Sequence, residues 1–328
     1  MTHILIDTNN LFFRARHVIR SGDPSVKVGM AFHILFSSIA KLYREFNGSH
    51  VIFCLEGKSW RKQVYPPYKK NRVLLNEKKS QHELEEDDMF YKAYNELISY
   101  VQTQTKCTVL QHPVCEADDF IARWIQNHPD TKHIIISTDT DFHQLINENV
   151  SQYNGVTNQL TTIDGIYDAK NKPIIDKKTG KPKSIGDPSY VLFEKCIRGD
   201  TADNIFTAYP RASTKGTKNK VGIEQAYADK DKKGFDWNNF MLQRWVDHEG
   251  VEHTVLDDYN RNKQIIDLTC QPENIKKYMD DTIQESIQEK EVSQIGIRFM
   301  KFCGKYELIN MSQRSGEFMA FLNSPYKS

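Results

Sequence analysis

The sequence predicts an α/β protein built on a mostly parallel central sheet flanked by helices. Three observations carry this. Short apolar runs at residues 3–6, 51–55 and 134–136 read as strands buried on both faces. A segment at 27–46, with Phe32, Leu35, Phe36, Ile39, Leu42 and Tyr43 at helical spacing, separates the first two, and Ala117 to Ile125, also at helical spacing, leads into the third. Strands without polar alternation suit a sheet covered by helices, and the β-α-β order makes it parallel.

Each of these strands ends in an acid. The first closes at Asp7-Thr8-Asn9-Asn10, the second at Glu56, the third at Ser137-Thr138-Asp139-Thr140-Asp141. One acid beyond one strand is ordinarily a turn or an N-cap. Acids after three parallel strands fall along one edge of the sheet, where open α/β sheets hold their chemistry. Unpaired carboxylates that close raise one another's pKa and repel, so the cluster persists most easily around bound cations. Glu116-Ala117-Asp118-Asp119 adds three acids in four residues at a helix start, more than the helix dipole needs. Asp139-Thr140-Asp141 does not open an EF-hand, because Gln144 stands where glycine is required and Val150 where the bidentate glutamate would be.

The remaining elements follow in order. Residues 83–105 read as a helix, Cys107 to Gln111 and Val150 to Asn154 as strands, and 168–187 as an excursion or hairpin whose lysines either touch a phosphate backbone or, the favoured reading, are only solvated. A helix from Tyr190 to Arg198 stops at Gly199, and Asp200 and Asp203 follow at a spacing that permits a shared face. Helical patterns recur at Val221 to Ala228, Phe240 to Trp245 and Leu256 to Leu268, with one more packed element around Ile295 to Phe302.

A length of 328 residues suits one large domain or two. The formal charge of +1 conceals segregation: residues 58 to 79 hold eight Lys or Arg against Glu77, and residues 83 to 88 hold five acids and no base. The six cysteines show no C-x-x-C pair and no zinc-like spacing with histidine, which favours reduced thiols in a cytosolic compartment. No apolar run approaches the ~18 residues of a membrane helix, and Asp7 comes too early for a signal-peptide core. Neither G-x-x-x-x-G-K-[ST] nor G-x-G-x-x-G occurs, which leaves a nucleotide-driven motor or a dinucleotide enzyme without support.

The basic stretch reads as a nucleic-acid-binding loop. Lys58, Arg61, Lys62, Lys69, Lys70 and Arg72 would neutralise phosphates, while the interleaved Trp60, Tyr65 and Tyr68 offer rings for unpaired bases. Its prolines and charge run argue against a packed element. Arg211, Lys215, Lys218 and Lys220 form a second basic loop. Ligation by oxygen alone selects hard cations, Mg²⁺ or Mn²⁺. Two such ions ~4 Å apart stabilise both the attacking and leaving oxygens of a phosphodiester.

Asp7, the Glu116-Ala117-Asp118-Asp119 block, Ser137 to Asp141, and Gly199-Asp200-Thr201-Ala202-Asp203-Asn204-Ile205 resemble the successive acidic blocks of the 5' nuclease, or flap endonuclease, family, closest to its phage members. The resemblance covers residues 2 to 206. It implies a PIN-like core over 1–206 with a basic arch or bridge at 57–90, and a helical, DNA-gripping region over 207–328. It assigns Asp7, Glu56, Glu116 and Asp118 to a first metal with Asp139 nearby, and Asp141, Asp200 and Asp203 to a second, with Asp119 in an outer position. Lys69 and Arg72 would hold the scissile phosphate and Tyr68 would stack on the terminal base. Two departures stand out: Glu56 occupies a position where the family has aspartate, and Phe206 to Lys220 replaces the glycine-rich helix-turn-helix, which puts the family's K⁺ site in doubt.

The implied activity is 5'-3' exonuclease and flap endonuclease action on branched or nicked DNA and RNA–DNA duplexes during phage replication. The expected setting is a monomer in the cytoplasm of the infected host, with no membrane partner and with a phage single-strand DNA-binding protein as a possible partner. Two alternatives stay open: an inactive nucleic-acid-binding module of the same fold, and a metal-dependent phosphatase.

Overall fold

A computed structural model describes residues 1–18 and 23–327. In chain order the elements are β1 (Thr2–Asp7), α1 (Thr8–Val18), α2 (Pro24–Glu45), β2 (His50–Cys54), α3 (Arg61–Val64), α4 (Lys70–Asn76), α5 (Gln81–Gln104), β3 (Thr108–Leu110), α6 (Ala117–Asn127) and β4 (Lys132–Ile136). After a 3₁₀ turn at Thr140–Leu145 come β5 (Val150–Asn154), β6 (Gln159–Thr161), β7 (Ile166–Tyr167), α7 (Pro188–Arg198), α8 (Ile223–Ala228), α9 (Phe235–Met241), β8 (Arg244–Val246) and β9 (Glu252–Thr254). The chain closes with α10 (Val255–Ile266), α11 (Glu273–Ser286), α12 (Ile295–Lys305), α13 (Ile309–Gln313) and α14 (Gly316–Leu322).

The chain divides into two compact units. The sheet-bearing unit comprises 1–59, 79–184 and 273–328, and the helical unit comprises 60–78 and 185–272. This differs from the boundary expected after residue 206. The C-terminal segment carries Phe299, Phe302, Phe318 and Phe321, which join the sheet-bearing core beside Phe36 and Tyr100. Aromatic burial of this size outweighs chain order in deciding where a segment packs.

The sheet-bearing unit holds a seven-stranded sheet in the order β3-β2-β1-β4-β5-β6-β7. β3, β2, β1, β4 and β5 are parallel, in keeping with the burial of β1, β2 and β3 along their whole length, while β6 runs antiparallel to β5 and β7 antiparallel to β6. Asp7 therefore stands beside Cys54, and Ile6 beside Ile136, so the carboxyl ends of β1, β2 and β4 form one edge. α2 is long and apolar enough to pass for a membrane span by length and composition, contrary to the sequence expectation. Its Phe32, Leu35, Phe36 and Ile39 are fully buried in the core.

The helical unit corrects the expectation that residues 60–72 do not form a packed element. Tyr65 and Tyr68 pack with Cys196, Ile205, Ile265 and Ile266 in a small apolar core, and Trp60 and Arg61 are buried. A second core gathers Phe193, Ile197, Trp237, Phe240 and Met241. The helix expected from Phe240 to Trp245 ends at Met241, and Arg244–Val246 pairs with β9 as a hairpin.

Candidate active site

The carboxyl edge of the sheet brings together the acids expected there. Asp7 is the last residue of β1 and is buried, while Glu56 is exposed, following β2 by two residues. Gly57 anchors that turn: its amide donates to the Cys115 carbonyl at 2.8 Å, and a Cβ there would meet the His112 and Cys115 carbonyl oxygens at 2.2 and 2.6 Å. The turn after β2 is thus held against the segment leading into α6.

At the start of α6, one ligand oxygen from each of Glu116, Asp118 and Asp119 lies within 4.8 Å of the others. Glu116 caps the helix in a reciprocal box with Asp119, whose Oδ2 accepts the Glu116 amide at 3.0 Å. Ser59 Oγ donates to Glu116 Oε2 at 2.5 Å. Asp119 is fully buried and engaged with the helix start. The burial of several carboxylates at one edge has its physical counterpart in a cation, and the all-oxygen donor set suits a hard divalent ion.

Beyond β4, Ser137 Oγ donates to Asp7 Oδ2 at 2.7 Å and accepts the Asp139 amide at 3.1 Å. Asp139 Oδ1 accepts the Asp141 amide at 2.9 Å, and Gln152 Nε2 holds the carbonyls of Ser137 and Asp139 at 3.0 and 2.6 Å. Asn10 Oδ1 accepts the Thr138 amide at 3.2 Å. Ser59, Ser137, Gln152 and Asn10 therefore position the acids, and sequence reasoning missed all four as functional residues. Ser137 stands inside the Ser137–Asp141 acidic block, and its place two residues before Asp139 was the available signal. Burial pushes the Tyr94 hydroxyl's pKa up, and the charges of Glu56 and Asp7 push it further. The Cys54 thiol is raised well above its ordinary value by burial and by Asp7.

In the helical unit, the 68–72 segment closes on Asp203. Arg72 Nη2 lies 2.5 Å from Asp203 Oδ1, Tyr68 Oη donates to Oδ2 at 3.1 Å, and Lys69 Nζ is 3.8 Å from Oδ2. Lys69 adopts a left-handed backbone (φ 54°), and its amide donates to the Asp203 carbonyl at 2.8 Å. Asp200 pairs with Lys195 at 2.8 Å. Burial raises its pKa, but the Lys195 hydrogen bond and charge outweigh this and hold it below the usual range. Gly199, at φ 74°, ends α7 where a Cβ would meet the Ile205 carbonyl at 2.4 Å, which fixes the turn bearing both acids.

Two expected nucleic-acid contacts are corrected. Tyr68 is 3% exposed, its ring in the apolar core and its hydroxyl on Asp203, so it has no open face for a terminal base. Arg61 is 1% exposed and donates from Nε to the Ile265 carbonyl at 2.7 Å. A buried guanidinium satisfying a backbone carbonyl serves packing. Lys58, Lys62, Lys70, Arg72, Arg211, Lys215 and Lys218 are exposed, whereas Lys220 folds back onto the Arg211 carbonyl and over the Tyr209 ring.

Residues 2–177 match the family model described as the 5'-3' exonuclease N-terminal resolvase-like domain. Among curated proteins, the Xni flap endonuclease of Psychromonas ingrahamii is 29% identical over 165 residues, 48% of this chain and 58% of that protein. That of Shewanella baltica strain OS185 is 31% identical over 135 residues, 39% of this chain and 45% of that protein. The chain thus spans about half the length of the curated relatives it matches. Among solved structures, a bacteriophage T5 flap endonuclease in a pseudo-enzyme–product complex with DNA and metal ions aligns with TM-score 0.58 at 19% identity, over 88% of this chain and 100% of that one. The T5 5'-exonuclease with bound divalent zinc ions aligns at 0.58 and 20% identity, over 87% and 99%. At such identity these structures show a shared fold. With more than half of its residues matched by the family model, the chain belongs to the 5'-3' exonuclease family.

Proposed function

We propose that this chain is a divalent-metal-dependent nuclease, a 5'-3' exonuclease and flap endonuclease that removes RNA primers or 5' flaps in phage DNA replication and leaves 5' phosphates. One observation carries the reading: Asp7, Glu56, Asp139, Asp141 and the Glu116–Asp118–Asp119 group lie at the carboxyl edge of the parallel strands of one sheet. Mg²⁺ or Mn²⁺ bound there would lower the pKa of a water and neutralise charge developing on a phosphodiester. The protein's own part is to hold the carboxylates in place: Ser137 orients Asp7, Ser59 orients Glu116, and Asp139 caps the turn that presents Asp141. Asp200 and Asp203 lie in the other unit and enter the proposal through the family resemblance, as does the use of two ions. Lys69 and Arg72 supply cations for the scissile phosphate, and nicked or branched duplexes with a 5' end are the substrates.

The test is a 5'-labelled flap substrate assayed with Mg²⁺ and with EDTA. Wild type should cleave only with metal. The double substitution Asp139→Asn, Asp141→Asn should lower single-turnover cleavage by at least ~10³-fold, while binding to the branched duplex stays within a few fold. Near-normal cleavage by that variant sinks the site assignment.

A further inference from the structure

The chain from Asp168 to Ser184 carries Lys170, Lys172, Lys177, Lys178, Lys181 and Lys183, all exposed. Its acids within that span, Asp168 and Asp176, are engaged with the backbone: Asp168 Oδ1 accepts the Lys170 and Lys172 amides at 2.8 and 2.9 Å, and Asp176 Oδ1 accepts those of Lys178 and Thr179, both at 2.9 Å. Six lysines against two aspartates leave a net charge of +4. Backbone bonds from Ile174 to Ile166 (2.8 Å), Lys183 to Ile174 (2.7 Å), Asp168 to Lys172 (2.9 Å) and Asp176 to Lys181 (2.8 Å) hold the lysines on an ordered scaffold.

The sheet's topology gives that scaffold a direction. β5 runs parallel to β4, β6 runs against β5, and β7 against β6, so β7 points the same way as β1 and β4. The turn after β7, bearing Lys170 and Lys172, therefore emerges on the edge that carries the carboxylates. The chain then reverses, antiparallel to β7, and the Asp176–Lys181 turn falls towards the opposite edge. β7 is three positions from β4 in the sheet. At ~4.8 Å per strand that is roughly 14 Å, about four base-pair steps of ~3.4 Å along a duplex.

We propose that the Lys170–Lys172 turn is a duplex-backbone contact, gripping phosphates of a nucleic-acid helix roughly 14 Å to one side of the cleavage site. It rests on the nuclease reading of the carboxylate edge, and adds to it a second hold on the substrate within the sheet-bearing unit. The contact neutralises phosphates without reading bases, so it contributes affinity and salt dependence but no sequence preference.

The experiment measures binding of a fluorescein-labelled branched DNA duplex by anisotropy, in EDTA to prevent cleavage, between 50 and 300 mM NaCl. For Lys170→Ala with Lys172→Ala, the slope of log K against log salt should fall by about 2, at roughly 0.9 per phosphate contact, with single-turnover cleavage at saturating enzyme unchanged. For the opposite turn, Lys177→Ala with Lys178→Ala and Lys181→Ala, the slope should fall by less than about 1. An unchanged slope in the first variant, or an equal or larger loss in the second, overturns the placement. Metal-dependent cleavage by wild type is scored separately, so loss of the nuclease reading is distinguishable from loss of this contact.

Discussion

Acidification from pH 7 to pH 5 is expected to destabilise the sheet-bearing unit through histidines at the amino-terminal edge of its sheet. Strand register sets His3 opposite both His50 and His133, so the three rings share one face, with Trp124, His128 and Tyr326 against them. Burial pushes His3 and His133 down to about 3 and His50 to about 4. Repulsion from His128, and from Lys290 beside His50, acts in the same direction, while backbone acceptors at Ser324 and Thr131 oppose it. In the unfolded chain these groups protonate near 6.5; in the folded protein they stay neutral down to about 4. The unfolded state thus holds more protons in that window, and stability falls as pH falls through it. Each histidine contributes about 1.4 kcal/mol per pH unit there. Three together remove on the order of 5 kcal/mol between pH 7 and pH 5, comparable to the whole stability of a small domain. Urea unfolding followed by circular dichroism at pH 7, 6 and 5 measures this for wild type and for His133→Leu. Neither His133 ring nitrogen reaches a hydrogen-bond partner of ordinary geometry among the described residues, so leucine should keep stability at pH 7 within about 1.5 kcal/mol. It should also reduce the pH dependence by about 1.4 kcal/mol per unit. Parallel stability–pH curves for the two proteins would refute the reasoning.

Two further substitutions probe the carboxylate edge and the Asp203 clamp. Ser137→Ala removes the hydroxyl that orients Asp7; the Mg²⁺ concentration for half-maximal cleavage should rise about 10-fold or more, and superimposable metal titrations would leave Ser137 without a positioning role. Lys69→Ala, which deletes the ammonium 3.8 Å from Asp203, should slow single-turnover cleavage by about 100-fold while shifting the Kd for a flap substrate by less than threefold; an unchanged rate removes Lys69 from the reaction.

The parallel sheet and the acids at its edge are legible in the sequence because both are written in short-range pattern. Uniform apolar runs mark strands buried on both faces, and a residue just beyond such a strand must lie at its carboxyl end. Only tertiary packing decided the fate of residues 60–72. Charge and proline content mark that stretch as exposed, yet Arg61 finds the Ile265 carbonyl and Tyr68 finds Asp203, partners 204 and 135 positions away that no local periodicity announces. The same holds for the histidines, which become neighbours only through the register of three strands, and for the C-terminal helices, whose aromatic faces return to the sheet-bearing core. Local pattern determines which side chains an element can bury; which surface receives them depends on loop closure and area buried across the whole chain.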